Sequence, residues 1–399
     1  MREDCRKDCI VCGSRDLVHL AFVEQVPISC NTPAPSKEAA LDVDRGDIAL
    51  TGCQGCGHVF NRAFDPDRIA YGHGYENALD FSPRFRRYAE ETVRRLVDRH
   101  GLQGRRIAEI GCGHGAFLRQ VCEAGGNHGT GFDPGRPDGP EERAGAGTMR
   151  ILGRPYQAED GASADLVCAR HVLEHFAEPM TLLRMIAAGR RDLACFIEVP
   201  DGSFTLDRLG IWDLIYEHVS YFTPSSLGTA LRQAGFTIGD LQSSFGGQFL
   251  WVEASVASSP EPSSKPAARL DDRTLSLFET YPERHRAMVG AWADFIENAR
   301  LRHRRIALWG AGSKGITFLN VLGIRAGQGI DLVVDINPRK TGTHVAGTGQ
   351  RIVQPSHLAA EPPDLVLIMN PEYTDEIAWT LAAVGIAAEI QSVSGCLPA

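Results

Sequence analysis

A buried strand that runs into three alternating glycines and then a helix leaves a chain few ways to fold. Residues 106–110, Arg-Ile-Ala-Glu-Ile, read as a short buried strand. Gly111, Gly113 and Gly115 follow, and residues 116–124 read as a helix. A second strand over 129–132 ends at Asp133. Strand, glycine turn, helix and an acid about 20 residues on is the layout of a nucleoside-binding βαβ unit. Glycine lets the backbone approach a ligand where a Cβ would clash, and the acid can accept from ribose hydroxyls. Dinucleotide sites share this logic, so the glycines alone do not choose the ligand.

Composition bounds the rest. A chain of 399 residues holds two to three domains, and 43% apolar residues suffice for real cores. A net charge of −9 argues against general nucleic-acid affinity, although basic clusters persist at Arg84, Arg86 and Arg87 and at Arg302, Arg304 and Arg305. No apolar run approaches membrane-spanning length, and the charged start Met1-Arg2-Glu3-Asp4 lacks the apolar core of a signal peptide. The expectation is a cytoplasmic monomer or homodimer.

Eleven cysteines is an odd count, and four of them form two C-x-x-C pairs. Cys9 and Cys12, with Cys53 and Cys56, suit a tetrahedral four-thiolate site for structural Zn²⁺. Four protein ligands leave no open position, so no catalysis is assigned to that ion. Cys5, Cys30 and His58 are spare ligand candidates. Cys112, Cys122, Cys168, Cys195 and Cys396 read as small core hydrophobes.

The acid that opens the glycine run, Glu109, completes a pattern that resembles the E/D-x-G-x-G-x-G motif of class I S-adenosylmethionine (SAM) methyltransferases. That ligand has no phosphate and carries a cationic end. Further strands are expected over 165–169, 194–199 and 249–253, and a helix over 81–99. A Pro/Ser linker over 257–268 precedes one or two helices up to about residue 302. A second strand–turn–helix follows: a strand over 305–309, the turn Gly310-Ala311-Gly312-Ser313-Lys314-Gly315, a helix over 316–322, a strand over 330–335 and a buried strand over 364–369. The expected fold is α/β, with an N-terminal zinc-binding module over 1–70 and a central class I SAM methyltransferase Rossmann-like domain over 71–256. Linker and helices occupy 257–303, and a second Rossmann-like α/β domain occupies 304–399. The C-terminal G-x-G-x-x-G turn allows an NAD site, a support for the nucleotide half of a substrate, or a structural lid.

Two segments carry candidate chemistry. Residues 211–222 pack aromatics, a carboxylate and an imidazole together after the strand that ends Glu198-Val199-Pro200-Asp201, where a doubly wound sheet presents its ligand crevice. Methyl transfer to carbon needs a base and donors for an enolate oxygen. His218 is the candidate base, Glu217 its orienting partner or a substrate contact, and Tyr216 or Tyr221 the oxyanion donor. Arg170 and His171 follow the 165–169 strand and fall over the cofactor. The run Val172-Leu173-Glu174-His175 resembles the "vLEH" of many class I methyltransferases, which shapes the SAM pocket.

Taken together, these pieces resemble the sugar C-methyltransferases of antibiotic deoxysugar biosynthesis. The resemblance covers almost the whole chain: a zinc-knuckle start, the E-I-G-C-x-x-G turn, a Glu-His-x-x-Tyr-Phe segment and a second Rossmann-like unit. In that unit Gly310 to Gly315 with Asn320, and Val334-Asp335-Ile336-Asn337-Pro338-Arg339-Lys340-Thr341-Gly342, match the family patterns. The resemblance implies a nucleotide-linked 4-keto-6-deoxy sugar as substrate, with Lys314, Asn320 and Arg339 on it, and deprotonation next to the ketone by His218. Tyr75 falls near the aromatic that closes over SAM. The chain departs from the family where Ile215 replaces a tyrosine, Ile316 replaces an asparagine, and 76–83 lacks a serine-rich stretch. An O- or N-methyltransferase on the same scaffold, a non-catalytic SAM-fold module and an NAD-dependent sugar enzyme are the competing readings.

Overall fold

Three sheets organise the computed structural model, which describes residues 5–69, 75–258, 270 and 272–393. The first is antiparallel and holds Leu17–Pro27, Arg45–Cys53, Val59–Asn61 and, from far along the chain, Ser220–Tyr221. The long Leu17–Pro27 and Arg45–Cys53 hairpin was not anticipated from sequence. Register shifts between His19 and Ala21 and between Val23 and Val26 break its period-two pattern.

The second sheet has eight strands. Its central run is parallel: Gly147–Leu152, His128–Phe132, Arg106–Ile110, Leu166–Arg170 and Ala194–Pro200, in that spatial order. Phe249–Val256 and Phe236–Ser244 extend it antiparallel beyond Ala194–Pro200. The helix Pro83–His100 packs across it. Its N-cap Ser82 accepts from Phe85 N, Pro83 sits in its first turn, and Gly101 ends it at φ +58°. Phe85, Tyr88, Ala89, Thr92, Val93, Leu96 and Val97 form its buried stripe.

The third sheet repeats that central run. Arg351–Val353, Ile330–Val334, Ile306–Trp309, Leu365–Ile368 and Glu389–Ser392 are all parallel and lie in the same spatial order. The likeness reaches individual hydrogen bonds. Gly113 N donates to Asp133 Oδ2 at 2.8 Å, and Ala311 N to Asp335 Oδ2 at 2.9 Å. The other oxygens, Asp133 Oδ1 and Asp335 Oδ1, each accept at 2.8 Å, from Gly135 N and Asn337 N. The two glycine turns are therefore one structural device used twice, although the residues between them share little.

A single helix, Asp272–Leu301, joins the two Rossmann-like units and carries Pro282 within it. Phe278, Tyr281 and Trp292 on it are fully buried in a core shared with the first sheet and the third. Most of the expected 257–268 linker, namely 259–268, and Cys396 lie outside the described residues. No helix among the described residues is long and apolar enough to cross a membrane.

Candidate active site

Both glycine turns open on one cavity of about 430 Å³. It is bounded by residues of all three sheets' units: Asn31 and Tyr75, then Gly111 and Gly113, then His171 and His218, then Lys314 and Arg339. Gly113 has φ +54° with nothing near an added Cβ, so its turn leaves open space for a ligand. Gly111 has φ +64°, and an added Cβ would overlap Val172. Gly115 stands outside the cavity lining. It caps the helix Ala116–Gly125 at φ +75°, against Met149. Asp133 also lies behind the lining, with both carboxylate oxygens engaged by the turn as described. Tyr75 lines the cavity, and its hydroxyl accepts from Asn31 Nδ2 at 3.1 Å.

Glu109 is buried at the cavity wall, and Oε2 has no hydrogen-bond partner among the described residues. Burial pushes its carboxyl up to about 8. A cationic ligand end would restore its charge and satisfy the oxygen. Arg170 is committed elsewhere: Nε and an Nη donate to Glu198 Oε1 at 3.0 and 2.8 Å, and the guanidinium lies over Phe117. Glu198, which sequence reading placed only at a strand end, is the hub of this cluster. Burial opposes its charge, but Arg170 and His171 override it and hold the carboxyl well below the usual range. Tyr88 donates to its other oxygen. His171 sits at φ +54°, a left-handed conformation that a non-glycine residue rarely adopts. Burial disfavours its charge, yet Glu174 and Glu198 raise it to about 9.

Opposite that charged cluster stand two neutral histidines. His175 and His218 meet edge-on with ring centroids 4.9 Å apart, both at the cavity. Burial lowers each to about 4. His175 Nδ1 lies 3.0 Å from the Glu217 carbonyl oxygen. A carbonyl only accepts, so Nδ1 carries the proton and Nε2 the lone pair. His218 Nδ1 is buried without a hydrogen-bond partner among the described residues. The Glu217 side chain points away from the cavity: Oε2 accepts from Cys30 N at 2.9 Å, and burial raises it to about 7.

The expected oxyanion donors are not brought to the cavity. Tyr216 is packed on Phe64, and its hydroxyl accepts from Asp65 N at 3.0 Å. Tyr221 is buried, and its hydroxyl donates to Ile215 O at 3.3 Å. Both are aromatic anchors of the segment that presents His218. Asn320 is likewise remote, with Nδ2 donating to Ile316 O and Ala346 O at 2.9 Å each. Lys314 does reach the cavity, bridging Asp213 Oδ2 at 3.1 Å and Gln248 Oε1 at 2.7 Å. Arg339 reaches it too, paired with Glu76 Oε2 at 3.1 Å. Glu76 and Asp213, charged partners from distant parts of the chain, had no local sequence signal; His175, by contrast, sits in a recognisable run.

The cysteine pairs come together in space. Cys9 Sγ and Cys56 Sγ are 3.7 Å apart, Cys12 Sγ and Cys53 Sγ 3.5 Å, and all four lie within 4.8 Å of one another. A tetrahedron with Zn–S bonds of about 2.3 Å has sulfur–sulfur edges of about 3.8 Å, so the residues fit the ion. Cys30 and His58 stay out of the group, His58 stacking on Phe60 at 5.8 Å and meeting Phe222 at a tilt at 4.8 Å.

Comparison with known proteins agrees with this geometry. A methyltransferase domain family matches residues 83–241, and a C-methyltransferase C-terminal domain family matches 264–388. The C-methyltransferase NovU of Streptomyces niveus is 25% identical over 390 residues, spanning 93% of this chain and 91% of that protein. The chain therefore carries a methyltransferase domain followed by a C-methyltransferase C-terminal domain. The chain is also 29% identical over 164 residues to a ubiquinone biosynthesis O-methyltransferase of Aeromonas salmonicida, covering 35% of this chain and 66% of that one. Among solved structures, magnesium protoporphyrin IX methyltransferase from Synechocystis, with bound SAH, matches at TM-score 0.34 and 19% identity over 47% of this chain and 91% of its own. The methyltransferase match falls on the eight-stranded sheet, and the C-terminal domain match spans the second Rossmann-like unit.

Proposed function

We propose that this enzyme methylates carbon next to the ketone of a nucleotide-linked deoxy sugar. The observation that carries the reading is the neutral His175–His218 pair in the cavity that both glycine turns share. SAM supplies a methyl group on a sulfonium, an electrophile that a carbanion can take without prior activation. The chain's own residues do the rest. Gly111 and Gly113 give backbone access to the cofactor, Asp133 organises the turn, and Glu109 faces the cationic end. His218 removes the proton from the carbon beside the ketone. His175, its tautomer fixed by the Glu217 carbonyl, is placed to share that proton. The C–H electron pair becomes the enolate, which with SAM bound would take the methyl group and release S-adenosylhomocysteine. Lys314 and Arg339, both cationic and both at the second glycine turn's side, are assigned to the nucleotide half of the acceptor.

The four cysteines are assigned one structural Zn²⁺, and the folded module depends on it. The test of the reading is product identity. The full-length enzyme is incubated with ¹³C-methyl SAM and a nucleotide-linked keto-deoxy sugar. Carbon–carbon coupling in the product NMR spectrum is expected, whereas a methyl signal on oxygen or nitrogen replaces this reading with an O- or N-methyltransferase that works by proximity and orientation.

A further inference from the structure

Glu174 is an unexplained residue at the cavity. It is 1% exposed, it follows the strand Leu166–Arg170 by four residues, and neither carboxylate oxygen has a hydrogen-bond partner among the described residues. His171 Nδ1 stands 3.7 Å from one of them, beyond hydrogen-bond length. Glu174 helps hold the His171 imidazolium charged, but that pairing leaves both of its oxygens without a hydrogen bond, a cost that a metal ligated by Glu174 would remove. One donor atom each from Glu174, His175 and His218 lies within 4.8 Å of the others. All three residues line the cavity.

We propose that Glu174, His175 and His218 form a second metal site, distinct from the cysteine knuckle, that takes a divalent transition metal and thereby blocks the enzyme. Two imidazoles and one carboxylate on one side of an ion, with the cavity on the other, suit zinc, cobalt or nickel rather than magnesium or calcium. The tautomer argument gives His175 Nε2 the lone pair. Ligand atoms on one ion stand closer than 4.8 Å, and rotation of the histidine side chains closes the group. The metal then holds the same imidazole lone pairs that deprotonation requires. Inhibition by excess metal therefore rests on the proposed role of His218, while binding of the metal does not.

The test uses full-length, tag-free enzyme with its cysteine site loaded with zinc, titrated with Co²⁺. Binding of one cobalt per chain is expected, with visible d–d bands and no near-ultraviolet thiolate charge-transfer band. His218→Gln and Glu174→Gln should each weaken that binding at least tenfold while SAM calorimetry confirms a folded cofactor site. Solvent-deuterium exchange at the acceptor carbon should fall with the same half-saturating cobalt concentration. Cobalt that binds only with thiolate bands, or equally well in both variants, overturns the site. Cobalt that binds as described but leaves exchange untouched overturns the blockade. If zinc-loaded enzyme shows no exchange even without cobalt, the deprotonation reading fails while the metal site stands.

Discussion

At the residue scale the site is a contrast between paired charge and dry neutrality. Arg170, His171 and Glu198 form a charged cluster whose members hold one another ionised. Within a short reach, His175 and His218 are kept neutral by burial. A free imidazole protonates near 6.5. These two fall to about 4, so their base form persists to lower pH. With His218 as the base, the acid limb of kcat/KM is expected near pH 4–5, because kcat/KM reports the free enzyme. A limb at 6–7 in a pH–rate profile would show that the essential base is not this pair. The glycines give a second residue-scale expectation. Gly111→Ala combines a left-handed backbone with an overlap on Val172, and should lower stability by about 2–4 kcal/mol. Gly113→Ala has the backbone strain without the overlap, and should cost only about 1–2 kcal/mol. Equal thermal-melt shifts for the two would contradict this account of the turn.

At the scale of elements, the segment that presents His218 is held by the N-terminal module rather than by its own sheet. Ser220–Tyr221 pairs with Val59–Asn61, Asn61 N donates to Val219 O at 2.9 Å, and Thr223 Oγ1 donates to Gly57 O at 3.1 Å. Gly57 sits between Cys56 and His58, in the knuckle itself. Stripping the metal with a chelator is therefore expected to abolish turnover while SAM affinity, set by the eight-stranded sheet, changes less than about threefold. Turnover that survives when elemental analysis finds no zinc would break the link. This dependence shows what sequence could and could not reveal. The strand–turn–helix readings around Gly111 and Gly310 were legible because short-range pattern dictates them. So was the cysteine grouping, since ligand spacing is local. The Ser220–Tyr221 pairing with residues some 160 positions earlier was not, because a two-residue strand has no period to read. Tyr216 and Tyr221 misled for the same reason: an aromatic near a catalytic histidine looks alike in sequence whether its hydroxyl meets substrate or, as here, Asp65 N and Ile215 O.

At the scale of the whole molecule, one turn design appears twice and both copies look into a shared cavity. The copies are bridged by polar contacts across the chain: Glu76 to Asn337 and Arg339, Lys314 to Asp213, and Ser82 and Arg84 to Glu376 and Glu372. These contacts are buried or half-buried, and they fix which face of the C-terminal unit meets the methyltransferase sheet. That placement sets the neutral histidines between a cofactor turn and a second, cation-flanked turn. The central claim is that this arrangement makes a carbanion before methyl transfer. The most direct measurement is deuterium incorporation from D₂O into the acceptor carbon, followed by NMR with S-adenosylhomocysteine in place of SAM. The account predicts exchange by the intact enzyme and a loss on the order of 10²–10⁴ in its rate for His218→Ala with cofactor affinity preserved. Exchange that proceeds at the same rate without His218, or no exchange by an enzyme that still transfers methyl groups, would contradict it.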